Sequence, residues 1–253
     1  MQEKTARWKG RNSKKDELRD RVWSALENQG AAIDSPWSKI PDFVGAQQAA
    51  EQLARLDALK TARIVKCNPD RGQAWVRLKA LQQGKIVYTP VPELVKDFPF
   101  LLLDPEKLQQ EGVAFEDVMY SEGAIEHGQK INFNEMDVMD ICVVGCVAVT
   151  TAGGRTGKGA GFADLEMGIF RELNILPETT PVVTTVHDLQ VVANNEVVME
   201  GHDTPLDWIA TPEQLIQTKT DYPVPGPMQW SALKPDQYEK IPFLTELRQQ
   251  MQA

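Results

Sequence analysis

"MDICVVGCVAVTTAGGRTGKGAGFADLEM", residues 139–167, is the stretch on which the fold turns. Its apolar, β-branched opening is expected to form one strand over 139–150, buried on both faces as strands of a parallel sheet are. Five glycines then fall within nine residues, Gly153 to Gly161, with Arg155 and Lys158 among them. A helix is expected over 162–176, with Asp164 and Glu166 near its start. This order places the loop at the carboxyl end of a central strand, the crevice where open α/β sheets bind ligands. Glycines let backbone N–H groups approach an anion, and the helix start adds partial positive charge.

The flanking sequence alternates strand and helix signals. "SKKDELRDRVWSALENQ" (13–29) predicts a helix with Ser13 as N-cap and an apolar stripe of Leu18, Val22, Trp23 and Leu26. Lys15 and Arg19 lie four apart on another face, so both can reach one anion. An Ala/Leu-rich helix follows over 46–59. "ARIVKCNP" predicts a strand, "RGQAWVRLKALQQG" a helix closed by Gly84, and "KIVYTPVP" a second strand, which together have the size of a parallel β-α-β unit. Residues 91–135 are irregular and are expected to hold a substrate-facing insertion. "TPVVTTVHD" predicts another buried strand, and "DWIATPEQLIQT" a short strand leading into a helix. The architecture expected is α/β, a three-layer αβα open, mostly parallel sheet of the CoA-transferase-like kind. A single domain spans 1–253, with an N-terminal helical extension over 1–60 and a C-terminal tail over 213–253 that wraps the surface and ends in an amphipathic helix.

Composition narrows the function. The 253 residues carry 27 basic and 36 acidic side chains, a formal charge of −9. That argues against a general nucleic-acid binder and leaves room for a local basic pocket. No run approaches the roughly 20 apolar residues that span a bilayer. The charged N-terminus lacks the apolar centre of a secretory signal, so a cytoplasmic location is expected. Cys67, Cys142 and Cys146 are an odd set that suits a reducing compartment; the latter two, in an apolar run, read as core thiols rather than metal ligands. His187-Asp188 and His202-Asp203 raise base or metal chemistry, but adjacent residues of an extended chain face opposite ways. For His187 a local hydrogen-bonding role is favoured; His127 is uninformative.

Common phosphate-loop formulas fail. A Walker loop would need glycine at Ala152 and a hydroxyl at Gly159, and the dinucleotide pattern would need glycine at Phe162. A different pattern fits. Arg155-Thr-Gly157-Lys158-Gly159-Ala-Gly161-Phe162-Ala-Asp164 resembles the R-x-G-x-G-x-G-Y-Y-D signature of 5-formyltetrahydrofolate cyclo-ligases, the methenyltetrahydrofolate synthetases. Lys15-x-x-Leu18-Arg19 is similar to that family's K-x-x-L-R, "ALQQGKIVYTPVP" to its A-L-x-x-G-K strand approach, and "VHDLQVV" with "HDTPLDWIATP" to its late glutamine and aspartate elements. The resemblance covers most of residues 13–212. It is strongest to the methenyltetrahydrofolate synthetase domain-containing branch, which has counterparts of "IPDFVGAQQAA", "GKGAGFADLE" and "VVTTVHDLQVV". Some of that branch add an RNA-recognition domain, which nothing after residue 212 resembles.

The resemblance implies an ATP- and Mg²⁺-dependent reaction on a small-molecule substrate, a reduced folate. In the family the formyl oxygen on N5 attacks the γ-phosphate of ATP, and N10 then closes the methenyl ring and expels phosphate. It implies phosphate and nucleotide contacts from Lys15, Arg19, Gly157, Lys158, Gly159, Gly161 and Phe162. It also implies catalytic roles for Arg155, Lys158 and Asp164, and Mg²⁺ at Asp164 and Asp203. Four positions depart from the pattern: Phe162-Ala163 replaces Tyr-Tyr, Leu165 stands where arginine is common, and Gly145 replaces a proline. Two alternatives therefore stay open, an enzyme acting on another heterocycle, for example in thiamine metabolism, and a non-catalytic nucleotide-binding module. Oligomeric state is not readable from the sequence.

Overall fold

The computed structural model describes residues 10, 12–91, 99–228, 230, 233 and 241–252. The first helix, α1 (Ser13–Asn28), starts at its expected cap residue, and the cap lies one residue earlier. Asn12, in an extended conformation, accepts from the Lys15 amide at 3.1 Å and is the true N-cap. The expected 46–59 helix is broken into α2 (Ala46–Leu53) and α3 (Asp57–Thr61), because extended Leu56 turns the chain so that Leu53, Leu56 and Leu59 all reach the core.

β1 (Ile64–Cys67), α4 (Ala74–Gln82) and β2 (Ile86–Pro90) form the anticipated parallel unit. Residues 91–135 then depart from expectation. Their described part adds β3 (Phe100–Leu103) and β4 (Gln129–Ile131), both antiparallel, to one sheet edge, with the short helices α5 (Pro105–Gln110), α6 (Phe115–Val118) and α7 (Ser121–His127) between them. Much of the segment is sheet edge and its cover rather than a substrate-facing insertion.

The expected single strand over 139–150 is two strands in two sheets. β5 (Ile141–Val143) pairs with β1, while β6 (Ala148–Thr150) pairs with β7 (Arg155–Thr156) and β9 (Val191–Val192) in a small second sheet. The link leaves both ladders, so its buried carbonyls need other donors. The Gln190 amide donates to Cys146 O at 2.9 Å and Val147 O at 3.1 Å, and the Thr184 hydroxyl donates to Val144 O at 2.6 Å. Gly145 lies in this link. A Cβ there would stand 2.7 Å from Asp70 Oδ2 and 3.0 Å from the Ile40 side chain, so the close approach requires glycine.

α8 (Phe162–Glu172) leads on to β8 (Val182–Thr185) and β10 (Trp208–Ala210). The helix expected after β10 is instead an antiparallel strand, β11 (Leu215–Gln217). Thr211 causes the reversal: its hydroxyl accepts from the Glu213 and Gln214 amides, and its own amide donates to Gln214 O. The large sheet thus runs β11-β10-β8-β5-β1-β2-β3-β4, with β10 through β2 parallel and antiparallel strands at both edges.

Side-chain alternation divides the core into two faces. Ile64, Tyr88, Phe100, Cys142, Val182 and Ile209 face α8 and the C-terminal helix Pro242–Gln252. Val65, Val87, Leu101, Val143, Val183 and Ala210 face α2 through α7. This is the three-layer αβα arrangement expected. α1 instead packs Leu18, Val22, Trp23 and Leu26 against Val147 and Ala148 of the small-sheet region, a third cluster. Each such side chain fully buried contributes about 1.5–3 kcal/mol. The three cysteines are buried and free, and burial pushes the Cys142 thiol up to about 12. They are core thiols.

Candidate active site

A cavity of about 590 Å³ opens beyond the carboxyl ends of β1, β2 and β5, at Asn68–Arg71, Pro90–Val91 and Gly145. That is the size of a small-molecule site. The glycines divide between two tasks. Gly153 and Gly154 turn the β6–β7 hairpin, and Gly157, Gly159 and Gly161 lead from β7 into α8. The loop therefore leaves the small sheet, not the central strand, and still reaches the crevice. Gly161 caps α8 at φ +80°, a conformation costly for any residue with a Cβ.

Every residue that the sequence proposed for the site lines this cavity: Lys15 and Arg19 from α1, Arg155 from β7, Gly157, Lys158, Gly159 and Gly161 from the loop, Phe162 and Asp164 from α8, and Asp203. They do not stand as free cations beside free carboxylates. Lys15 Nζ lies 2.5 Å from Asp203 Oδ2 and 3.2 Å from Glu200 Oε2. Arg19 bonds Asp16 at 2.7 Å, the Gly157 carbonyl at 2.7 Å and the Thr156 hydroxyl at 3.2 Å. Arg155 is an almost fully buried guanidinium that donates to Asp164 Oδ1 and to Thr204 O. The Thr204 amide donates back to Asp164 Oδ1 at 2.9 Å, closing a ring of bonds. Lys158 is the loosest cation, 3.9 Å from Asp70 Oδ1 with its side chain 31% exposed.

The electrostatics follow from this pairing. Burial disfavours charge on Arg155, but Asp164, Cys146 and Asp203 together offset it and the guanidinium holds its proton more firmly than usual. Burial alone lowers Arg19 below its ordinary value despite Asp16. At Glu200 burial opposes ionisation, yet Lys15 outweighs it and keeps the carboxyl below the usual range. Glu200, His202 and Asp203 place three potential ligand atoms within 4.8 Å of one another. The Lys15 ammonium already bonds two of these residues, so the cluster holds a cation from the protein itself.

Asp164 and Asp203 each have one oxygen hydrogen-bonded, Oδ1 and Oδ2 respectively, and Asp203 Oδ1 lies 3.8 Å from His202 Nε2. The other oxygen of each accepts no hydrogen bond among the described residues. Mg²⁺ is typically held by one or two carboxylates plus phosphate oxygens and water, so one oxygen from each residue fits that donor set. His187 does not line the cavity. Its Nδ1 accepts from the Leu189 amide at 3.1 Å and its own amide donates to Gln190, the local role expected.

Sequence reasoning missed a second ion pair. Lys66 of β1 and Glu166 of α8 meet at 2.6 Å with side chains 0% and 4% exposed, and Lys66 also bonds Asn68 Oδ1 at 2.5 Å. Burial pushes the Glu166 carboxyl up, against the pull of Lys66. The signal is a lysine within the otherwise apolar "IVKC".

The fold and site together define a cyclo-ligase-like α/β protein, and the comparisons agree. The 5-formyltetrahydrofolate cyclo-ligase family profile matches residues 11–212, and the chain belongs to that family. It is 35% identical over 239 residues to the methenyltetrahydrofolate synthase domain-containing protein of Bos taurus, covering 93% of this chain and 62% of that protein. The Homo sapiens protein of that name is 34% identical over 237 residues, covering 92% and 61%. The chain thus spans about three fifths of the length of these relatives. The NMR structure of the Aquifex aeolicus 5,10-methenyltetrahydrofolate synthetase superposes with a TM-score of 0.50 at 16% identity, covering 85% of this chain and 98% of that one. At that identity the likeness is one of fold.

Proposed function

We propose that the protein carries out the ATP- and Mg²⁺-dependent cyclisation of 5-formyltetrahydrofolate to 5,10-methenyltetrahydrofolate. The observation carrying this reading is convergence: α1 and, far from it in sequence, β7 with the glycine loop deliver four cations to one cavity at a helix start. Phosphoryl transfer asks the protein for positioning and positive charge rather than covalent chemistry. Lys158, least committed to a carboxylate, binds the transferred phosphoryl group. The Arg19 bond to Gly157 O fixes that peptide of the loop beside the cavity. Arg155 and Lys15 hold Asp164 and Asp203, whose remaining oxygens would take Mg²⁺; the bound ion supplies charge neutralisation at the phosphate oxygens. Three buried free thiols accord with a cytoplasmic enzyme.

The test is an absorbance assay with purified protein, ATP, Mg²⁺ and 5-formyltetrahydrofolate. Methenyl absorbance should rise; its absence under conditions where a known cyclo-ligase turns over rejects the reading. One observation favours a second reading, an ATP-dependent enzyme on another heterocycle. Phe162-Ala163 brings to the cavity wall neither of the two phenols of the family pattern. That reading expects ATP binding weakened by Lys158→Ala and no response to folates.

A further inference from the structure

We propose that Glu166, backed by Lys66, is a ligand-recognition carboxylate that accepts hydrogen bonds from the N–H/NH₂ edge of an aminopyrimidine-type ring in the inner part of the cavity. The inference deepens the folate reading, on which it rests, by naming the feature of the substrate that is recognised and the residue that recognises it.

Four observations converge. First, Glu166 is a wall residue of the cavity although it is only 3% exposed, so what accessible surface it has faces the space a ligand would fill. Second, among the described residues Lys66 is the one side chain that pairs with its carboxylate, through Oε2. A carboxylate has about four lone-pair sites, so acceptor capacity remains. Third, the pair is costly where it stands. Lys66 stands among apolar neighbours in the central strand, and a buried ion pair is typically no more stabilising than apolar side chains of equal volume. Stability therefore does not explain its presence. Fourth, the neighbouring wall suits a flat ring: Phe162, Val91, Met228 and Leu233 line the same cavity.

Placement fits the ring to the reaction. Glu166 lies four residues beyond Phe162 on α8, hence on the same helix face and about 6 Å further along the axis. A ring seated there stands one ring-length from the loop that binds phosphate. Lys66 acts through Glu166. Its ammonium, also held by Asn68, lies against Oε2 and fixes the position of the carboxyl group.

Binding to the intact protein tests this, with 5-formyltetrahydrofolate, its 2-desamino-2-methyl analogue and ATP as separate probes. The wild type should prefer the 2-amino compound by about tenfold to a hundredfold, the range of a hydrogen bond to a charged group. Glu166→Gln should erase most of that preference, as should the charge-free pair K66M/E166L, which guards against misfolding caused by a stranded lysine. ATP affinity should stay within about threefold in both, a readout that general destabilisation would move. Equal wild-type affinity for the two folates, or a preference that survives in both variants, overturns the inference. Tight, amino-dependent folate binding without turnover would uphold it and reject the cyclisation reading alone. Binding of neither folate would reject both.

Discussion

Two buried ion pairs flank the cavity, and they differ in what else their atoms do. Arg155–Asp164 is tied to backbone at both partners: Thr204 O takes one guanidinium N–H, and the Thr204 amide donates to the same carboxylate oxygen, Oδ1, that Arg155 engages. Lys66–Glu166 has one side-chain addition, Asn68, and it falls on the lysine. The first pair is a clamp between β7, α8 and the segment before β10. The second leaves a carboxylate with capacity to spare. Both pairs are formally neutral and little exposed, Asp164 at 15% being the most open of the four side chains, so what separates them is how much backbone each partner is tied to.

The largest expected effect breaks the clamp. Arg155→Ala strands Asp164 and the Thr204 carbonyl in a buried setting, so urea unfolding should show a loss of about 3–5 kcal/mol. Next comes Lys158→Ala, which removes a loosely paired cation. ATP affinity by calorimetry should fall about tenfold to a hundredfold, while unfolding stability moves by less than about 0.5 kcal/mol. A binding loss accompanied by a large stability loss would show that Lys158 belongs to the clamp instead. The smallest effect sharpens the contrast. The double variant K66M/E166L should unfold within about 1 kcal/mol of the wild type, because apolar replacement of both partners leaves little stranded. A cost as large as that of Arg155→Ala would mean that both pairs are clamps.

Much of this arrangement was legible in the sequence because it rests on local periodicity. The buried stripe of α1 and the i, i+4 spacing of Lys15 and Arg19 are helical patterns, and β1-α4-β2 is marked by proline and glycine punctuation. The break inside Ile141–Thr150 was not legible, since it depends on Gln190 supplying hydrogen bonds from more than 40 residues away. The reversal into β11 was hidden by a helix-compatible composition that one threonine hydroxyl overrides. The Lys66–Glu166 pair escaped because it needs two elements 100 residues apart to meet, and neither residue signals the other. For the glycine loop, residue types identified the chemistry, but the hairpin origin of the loop required tertiary pairing.

The docking of α1 has a consequence for how the protein is made. Lys15 meets Asp203 across 188 residues and Arg19 meets Gly157 across 138. Contacts of such separation close late, after more local structure has offset the entropy of the intervening chain. On the ribosome α1 is synthesised long before either partner exists, and until the small sheet forms its apolar stripe has only nearby residues such as Trp37 and Ile40 to pack on. α1 therefore completes its polar contacts late, and a chain halted before residue 203 would carry the glycine loop and all four cations but not the Asp203 carboxylate that holds Lys15.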